Sequence, residues 1–178
     1  KPPRTASALI PEWLTATAPM KHLQRLLAHP NIASKESIIH RYDHEIRGAT
    51  VVRPLVGVEN DGHGDGVVLA EPTDQHGIAI GIGVNPWFGL VDPQRMAEAV
   101  VDEAMRNVVA VCADPTQVAL LDNFSWGDPT RPSTLGELVA AVDGCARAAK
   151  AFGAPFVSGK DSLNNEFQGS DGQRHAVP

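Results

Sequence analysis

The chain has 178 residues, a net charge of −6, 43% hydrophobic residues and 20% charged residues. That length and apolar content suit one globular domain with a buried core. The acidic balance argues against nucleic acid as a partner, because binding a phosphodiester backbone needs clustered Lys and Arg, whereas the basic residues here are scattered. No apolar run approaches the roughly 18 residues of a membrane span and no signal peptide is recognisable, so a cytoplasmic protein without membrane contact is expected.

The two ends of the chain lack a regular apolar pattern. Residues 1–12 contain three prolines and are expected to form a linker, whereas residues 168–178 are expected to form a disordered tail. The folded domain is predicted over residues 13–167. A start on Lys1 rather than Met suggests a piece of a longer protein.

The two cysteines, Cys112 and Cys145, both lie in apolar helical patterns, with no Cys or His nearby at metal-ligand spacing. A disulfide framework and a zinc site are therefore not indicated. Both thiols are expected to be reduced and to lie in the core.

The first part of the domain predicts short helices followed by strands. Residues 13–41 have a helical pattern in two pieces, and Ser34 is expected to cap the second. A β-branched run predicts a strand over residues 50–52. Two further apolar runs, over residues 66–71 and 77–84, are separated by a polar turn and predict neighbouring strands of a hairpin.

The clearest helix start in the sequence is at Asp92-Pro93. Asp92 can accept hydrogen bonds from the free N–H groups of the first turn, and proline fits the first helical position, where no N–H donor is needed. The helical period over residues 93–112 then predicts a core-facing arc. Its members are Ala97, Val100, Val101, Ala104, Val108, Val111 and Cys112.

Glu103 and Asn107 lie one above the other at the edge of this arc, because they are four residues apart on the same helix. A carboxylate and a carboxamide among small residues require a polar partner. One interpretation is an ordinary pair at the boundary of the core. The other is a site for a hard cation such as Mg²⁺, which takes oxygen ligands. The spacing alone does not choose between them.

The second half of the domain predicts a strand over residues 117–123, a long helix over residues 134–152 and a short strand over residues 155–157. Ser133 is expected to cap the helix and Gly153 to end it. The expected core face of this helix is Leu135, Leu138, Val139, Val142, Ala146 and Ala149. Strands alternating with long helices predict an α/β fold of the α+β type, with one mixed sheet and its helices on one face.

Polar residues at predicted strand ends are candidate ligand contacts, because loops leave the scaffold there. Three such ends are Asp65, Asp122-Asn123 and residues 158–162. Turn capping is the alternative for the two aspartates. The last segment, SGKDS, is not a Walker A motif, since Ala154 and Asp161 stand where glycine and Ser or Thr are needed.

Three residues of that segment nevertheless suit a phosphate. Gly159 allows close approach to the backbone, Lys160 supplies a positive charge and Ser162 supplies a hydroxyl. The alternative is an ordinary polar exit from a strand.

Five segments in one order resemble successive blocks of the synthetase subunit of phosphoribosylformylglycinamidine synthases. They are LLAHPNIASKESIIHRYDHEIRGATVVRPLVG, GVNPWFG, VVDEAMRNVVAVCADP, ALLDNFSWGDP and PFVSGKDSLNNEF. The resemblance extends from residue 13 to residue 167 and implies an internal quarter of that subunit, the N-terminal half of its second repeat. In this family, which shares its fold with aminoimidazole ribonucleotide synthetase, two such halves pair into a β-barrel. A chain without its partner half is therefore expected to form a homodimer.

The resemblance implies the reaction as well. ATP activates the amide oxygen of formylglycinamide ribonucleotide, and glutamine-derived ammonia displaces the phosphate to give the amidine. Mg²⁺ is the implied cofactor besides ATP. The first repeat, the remaining domains and a glutaminase domain or subunit are the implied partners, and the chain alone is expected to be inactive.

By the same resemblance, Asp65, Glu103 and Asn107 match positions that hold Mg²⁺ on a bound nucleotide. This makes the cation site the favoured interpretation of the helix edge.

Asp122, Gly159 and Ser162 match positions of nucleotide or substrate contact. Lys160 is a departure, because many single-repeat members have a metal-binding Asn there and a protonated Lys has no lone pair to offer, so a phosphate contact is expected instead.

Two alternatives stay open. The chain can belong to a non-catalytic module that binds nucleotide only to stabilise the subunit. It can also come from a related ATP-using synthetase, such as aminoimidazole ribonucleotide synthetase or selenophosphate synthetase.

Overall fold

The computed structural model describes residues 18–45, 47–70, 73 and 75–177. The chain forms two compact units, one from residues 6–80 and the other chiefly from residues 81–178. The predicted linker over residues 1–12 lies outside the described part. None of the described helices is long and apolar enough to cross a membrane.

The unit before residue 81 contains short elements. They are α1 (Pro19–Leu27), α2 (Glu36–Ile39), β1 (Thr50–Val52), β2 (Leu55–Val56), β3 (Gly62–His63), β4 (Gly66–Leu69) and β5 (Ile78–Gly81). At the predicted start of α2, the Ser34 hydroxyl accepts a hydrogen bond from Glu36 N at 3.2 Å. Strand β4 pairs antiparallel with β1 and lies next to β5, as the hairpin prediction requires, while β2 and β3 form a separate antiparallel ribbon.

The second unit contains the long helices. Its elements are α3 (Pro86–Gly89), α4 (Pro93–Ala110), a 3-10 turn (Pro115–Gln117), β6 (Leu120–Trp126), α5 (Pro132–Phe152), β7 (Phe156–Leu163), β8 (Glu166–Gln168) and β9 (Arg174–Ala176). Strands β6 and β7 are parallel, as expected for strands joined through a helix, and β8 and β9 are antiparallel.

Helix α4 begins where the sequence predicts. Asp92 Oδ1 accepts a hydrogen bond from Arg95 N at 3.1 Å, and Pro93 is the first helical residue. The buried residues are Ala97, Val101, Met105 and Val108. The helix ends at Ala110, and Cys112 adopts a left-handed conformation (φ 72°) with an exposed side chain. The expectation of a core thiol at Cys112 is therefore wrong, because the helix stops before it.

Helix α5 ends at Gly153 as predicted, since this glycine adopts φ 66°. It begins at Pro132 after Arg131, without a side-chain cap, so Ser133 is not its cap. The buried residues are Ala141, Gly144 and Ala148, whereas four predicted core residues are exposed: Leu135, Val139, Val142 and Ala146.

Close contact between α4 and α5 explains why the predicted core face of α5 is wrong. A Cβ atom added to Gly144 would lie 2.2 Å from the Gln94 carbonyl oxygen and 2.9 Å from Ala97 Cβ. Only glycine fits at this crossing without a shift of the helices. Because α5 is apolar around most of its circumference, its periodicity did not reveal that the small-residue side is the buried one.

The core of the second unit lies between these helices and the strand pair β6–β7. Its buried members are Val101, Met105, Leu120, Ala148 and Ala154. The partly buried residues packed on them are Val118, Cys145, Ala149 and Phe156. The α/β class is confirmed. The predicted single mixed sheet is not found among the described strands, which pair in one group of three and three groups of two.

The predicted disordered tail is also corrected. Strands β8 and β9 pair through Glu166↔Ala176 and Gln168↔Arg174, within and next to residues 168–177. Gly172 adopts φ 75° in the connecting turn, and the Asp171 carboxylate accepts a hydrogen bond from Gln173 N at 2.9 Å. The short polar sequence lacks an apolar period because it is a turn and a hairpin stabilised by polar contacts.

Candidate functional site

The parallel strands β6 and β7 bring together four of the predicted site residues. Their register pairs Asp122 with Gly159, Asn123 with Lys160 and Ser125 with Ser162. These residues lie inside the strands and not at strand ends, where the sequence analysis expects them. Each strand continues past its polar residues because its partner satisfies the backbone hydrogen bonds as far as Trp126 and Leu163.

The four residues nevertheless divide between the two faces of the strand pair. Successive side chains along a strand point to opposite faces, and residues paired in register share a face. Asp122 and Gly159 therefore lie on one face, and Lys160 and Ser162 lie on the other.

On the first face, the Asp122 carboxylate occupies the space beside Gly159. A Cβ atom at position 159 would lie 2.0 Å from Asp122 Oδ1, so a larger residue there would require the carboxylate to turn away. The sequence predicts that the same glycine admits a phosphate, which would require the carboxylate to move. Cys145 is close to this pair: burial, and then the negative charge of Asp122, raise the pKa of its thiol.

On the second face, polar side chains form a row. The Lys160 ammonium donates a hydrogen bond to the Ser162 hydroxyl. Ser125, the register partner of Ser162, accepts a hydrogen bond from Asn165 Nδ2 at 2.6 Å. Sequence reasoning did not select Ser125 or Asn165, and the signal that would have found them is the parallel register rather than a motif. An ammonium and hydroxyls on one exposed face suit an anionic group such as a phosphate.

The polar edge of α4 finds its partners in the segment that follows β5. Glu103 Oε2 accepts a hydrogen bond from Val84 N at 2.9 Å, and Asn107 Nδ2 donates one to the Ile82 carbonyl oxygen at 2.7 Å. The segment runs close to the helix, since a Cβ atom added to Gly83 would lie 1.8 Å from the Val100 carbonyl oxygen. Both side chains are thus fixed in orientation by backbone groups.

These hydrogen bonds leave oxygen atoms available. Glu103 keeps its second carboxylate oxygen, and Asn107 keeps its carbonyl oxygen because it uses the amide nitrogen for Ile82. Both are ligand types that Mg²⁺ accepts, so the donor set fits the ion expected at this edge.

Asp65 lies in the other unit, at an exposed bend immediately before β4. Among the described residues no group of three or more His, Cys, Asp or Glu side chains is arranged to hold a metal ion. The assignment of Asp65, Glu103 and Asn107 to one Mg²⁺ site therefore stays a prediction.

Comparison with known proteins identifies the family. The model of the family "AIR synthase related protein, N-terminal domain" matches residues 49–172. The chain is 40% identical over 149 residues to the phosphoribosylformylglycinamidine synthase subunit PurL of Deinococcus radiodurans, covering 84% of this chain and 19% of that protein. The chain therefore spans about a fifth of the length of the curated relatives it matches.

Solved structures show the same relationship. The PurLQS structure from Thermotoga maritima matches with a TM-score of 0.63 and 25% identity over 80% of this chain and 22% of the other. T. maritima PurL complexed with ADP matches with a TM-score of 0.60 and 26% identity over 77% of this chain and 21% of the other. Because the family model covers more than half of the residues, the chain belongs to the AIR synthase related protein family, within its N-terminal domain.

Proposed function

We propose that the chain forms a nucleotide-binding part of the ATP-dependent synthetase that makes formylglycinamidine ribonucleotide. The substrates of that enzyme are formylglycinamide ribonucleotide, ATP and glutamine-derived ammonia. Family membership, the PurL relatives and the likeness to an ADP complex of PurL support this proposal. The observation that carries it is the contact of Lys160 with Ser162 on the exposed face of β6–β7.

The chemistry of this row suits the phosphates of a nucleotide. The Lys160 ammonium supplies a point charge and three N–H donors, and the hydroxyls of Ser125 and Ser162 can donate to phosphate oxygens. Asp122, on the opposite face beside Gly159, would serve a different part of the ligand, because a carboxylate accepts from hydroxyl groups and repels phosphate.

Glu103 and Asn107, together with Asp65, are the residues that would hold Mg²⁺. The ion would supply positive charge to neutralise a phosphoryl group in transfer. The chain's own contribution is the orientation of two ligands by the backbone at Ile82 and Val84. Such outer contacts fix ligand geometry before the ion arrives.

The remaining four-fifths of a PurL-like subunit would supply the rest of the machinery. The proposed partners are the first repeat and other domains of the synthetase, and a glutaminase domain or subunit that delivers ammonia.

A second candidate function is a non-catalytic nucleotide site that stabilises the subunit. The observation that favours it is the direct role of Glu103 and Asn107 in holding the 82–84 segment against α4. Residues already engaged in the packing of the fold suit a nucleotide that is retained and not turned over.

Glu103→Ala in the complete synthetase distinguishes the two functions. A catalytic site predicts that amidine formation is lost from protein that still folds, whereas a structural site predicts a larger fall in the unfolding temperature with near-normal turnover per folded molecule. Asp102→Ala is the matched control, because it removes a carboxylate from the same helix that pairs with Arg106 on the exposed side. Unchanged turnover and unchanged stability would contradict both functions.

A further inference from the structure

Glu166 is a carboxylate that connects two segments at the end of the strand pair β6–β7. Its Oε1 atom accepts hydrogen bonds from the Arg131 guanidinium and from Asp128 N at 3.1 Å. Its Oε2 atom lies 3.4 Å from Arg174 Nε. The carboxylate thus joins the loop over residues 127–131, between β6 and α5, to the hairpin β8–β9.

The burial of Glu166 makes these contacts obligatory. Its side chain is 1% exposed, whereas those of Arg131 and Arg174 are 44% and 63% exposed. A buried carboxylate deprived of its cations and donors carries a large desolvation cost. The two arginines, in contrast, can return to water. Glu166 is therefore the member of this cluster that fixes the positions of the others.

The 127–131 loop and the hairpin β8–β9 form a corner of the unit around Glu166. This corner also has backbone hydrogen bonds to the end of β6. Asn165 N donates to the Trp126 carbonyl oxygen at 2.7 Å, and Asn164 N donates to the Gly127 carbonyl oxygen at 3.3 Å. A Cβ atom added to Gly127 would lie 2.9 Å from Ala176 Cβ and 3.4 Å from Glu166 Oε1. The loop, the hairpin and the end of β6 are packed as one body.

This corner reaches the polar row through one residue. Asn165, next to Glu166 in sequence, donates from its side chain to Ser125, and Ser125 is the register partner of Ser162. Ser162 in turn accepts a hydrogen bond from Lys160. Asn165 is therefore the connection between this corner and the row of phosphate-binding candidates.

We propose that Glu166 is a positioning residue for the nucleotide site: it fixes the 127–131 loop and the β8–β9 hairpin so that Asn165, Ser125, Ser162 and Lys160 keep one geometry. This inference rests on the proposed nucleotide-binding function. Glu166 itself is enclosed by arginines and backbone groups and does not contact the ligand.

The test compares Glu166→Gln with the wild type in the complete synthetase, measuring ATP affinity by titration and amide hydrogen exchange by mass spectrometry. Glutamine keeps the shape and one acceptor oxygen but removes the charge that holds two arginines. The expected result is a tenfold or greater loss of ATP affinity, with faster exchange at residues 125–131 and 160–167 and a retained cooperative unfolding transition. Glu137→Gln on α5 is the matched control and should change neither measurement.

A second variant separates positioning from general loss of structure. Arg174→Gln alone removes one cation but leaves Glu166 with the Arg131 guanidinium and Asp128 N, so it should reduce ATP affinity and exchange protection less than Glu166→Gln does. ATP affinity and exchange that are both unchanged in Glu166→Gln would overturn the inference. Wild-type protein that binds no ATP would contradict the proposed function instead, and a local exchange change in Glu166→Gln would still establish Glu166 as the residue that holds this corner.

Discussion

At the scale of single residues, the proposed phosphate site depends most on Lys160. Its ammonium is exposed on β7 and contacts the Ser162 hydroxyl, on the face opposite to Asp122. A cation here contributes to binding only if a phosphate lies on that face, which makes Lys160 a sensitive probe of the proposed site.

We predict that Lys160→Ala weakens ATP binding by about 1.5–3 kcal/mol, the range for a hydrogen bond that involves a charged group. Isothermal titration of the complete synthetase would measure this. Lys150→Ala, which removes an exposed lysine from the last turn of α5, is the control and should bind ATP normally. Equal affinity in the two variants would remove Lys160 from the site.

Low pH should destabilise the loop after β6, because protonation of the Asp128 carboxylate weakens the contacts that this side chain makes there. Hydrogen bonds from the Thr130 hydroxyl and from Thr130 N, and the charges of Arg131 and Arg174, lower the pKa of the Asp128 carboxyl. A lowered pKa means that the ionised form favours the folded state, so this contribution is complete above the ordinary value of about 3.9 and is lost as the pH falls through the lowered pKa.

We therefore predict that the unfolding temperature falls less steeply between pH 5 and pH 2.5 in Asp128→Asn than in the wild type. Differential scanning calorimetry across that range measures the two slopes. Asp143→Asn, which removes the same charge from an exposed position on α5, should keep the wild-type slope. Parallel pH profiles for Asp128→Asn and the wild type would contradict the assignment.

At this scale the sequence predicted which residue types form the site, but not on which face of the strand pair each of them lies. The residue types at 122, 159, 160 and 162 predicted a polar site, and the pairing of β6 with β7 does bring them together. Their division between two faces depends on strand register, which no local pattern encodes. Glu166 and Arg131 were missed because an ion pair 35 residues apart leaves no trace in local periodicity.

At the scale of elements, α4 and α5 differ in how well sequence describes them. The start of α4 is encoded locally by Asp92 and Pro93, so it was predicted correctly. The buried side of α5 is set by its contact with α4, where Gly144 lies against the Gln94 backbone. The contact with α4, and not the apolar periodicity of α5, therefore determines which side of α5 is buried.

We predict that Gly144→Ala lowers stability by about 1–3 kcal/mol through overpacking, although alanine favours a helix more than glycine does. The added methyl group would overlap the Gln94 carbonyl oxygen and force α4 and α5 apart. Denaturant titration monitored by circular dichroism measures the change. Ala146→Leu, a much larger addition at an exposed position of the same helix, should change stability little. A more stable Gly144→Ala would show that the helices separate without cost.

At the scale of the whole molecule, the chain presents apolar side chains that a self-sufficient domain would cover. On the segment after β5, Ile82 and Val84 are 65% and 69% exposed, and on β6 and β7 Leu121 and Val157 are 70% and 62% exposed. Exposed strand faces of this kind are typical of interaction surfaces.

We predict that the 178-residue chain forms a homodimer in solution, because a second copy can cover these side chains through a two-fold axis. Light scattering at micromolar concentration gives the mass. Ile82→Lys should shift the equilibrium to monomer, whereas Arg95→Lys, on an exposed position of α4, should not. A wild-type monomer that binds no hydrophobic dye would contradict the prediction and the half-barrel expected from the family resemblance.

We also predict that the chain alone does not form the amidine, because phosphoryl transfer requires both sides of a cleft to be positioned together. A coupled assay for ADP release with ammonia as nitrogen donor tests this. Turnover close to that of a complete synthetase would show that the 178 residues contain the entire active site.

The close approach of Asp122 to Gly159 has an evolutionary consequence. A side chain at position 159 would collide with the present position of the carboxylate, so a change there should favour a compensating change at position 122. Among related sequences, alanine or serine at the position of Gly159 should occur together with a residue shorter than aspartate at the position of Asp122. A pairing of this kind would be visible as covariation between two sites 37 positions apart, and aspartate retained beside a β-branched residue would exclude it.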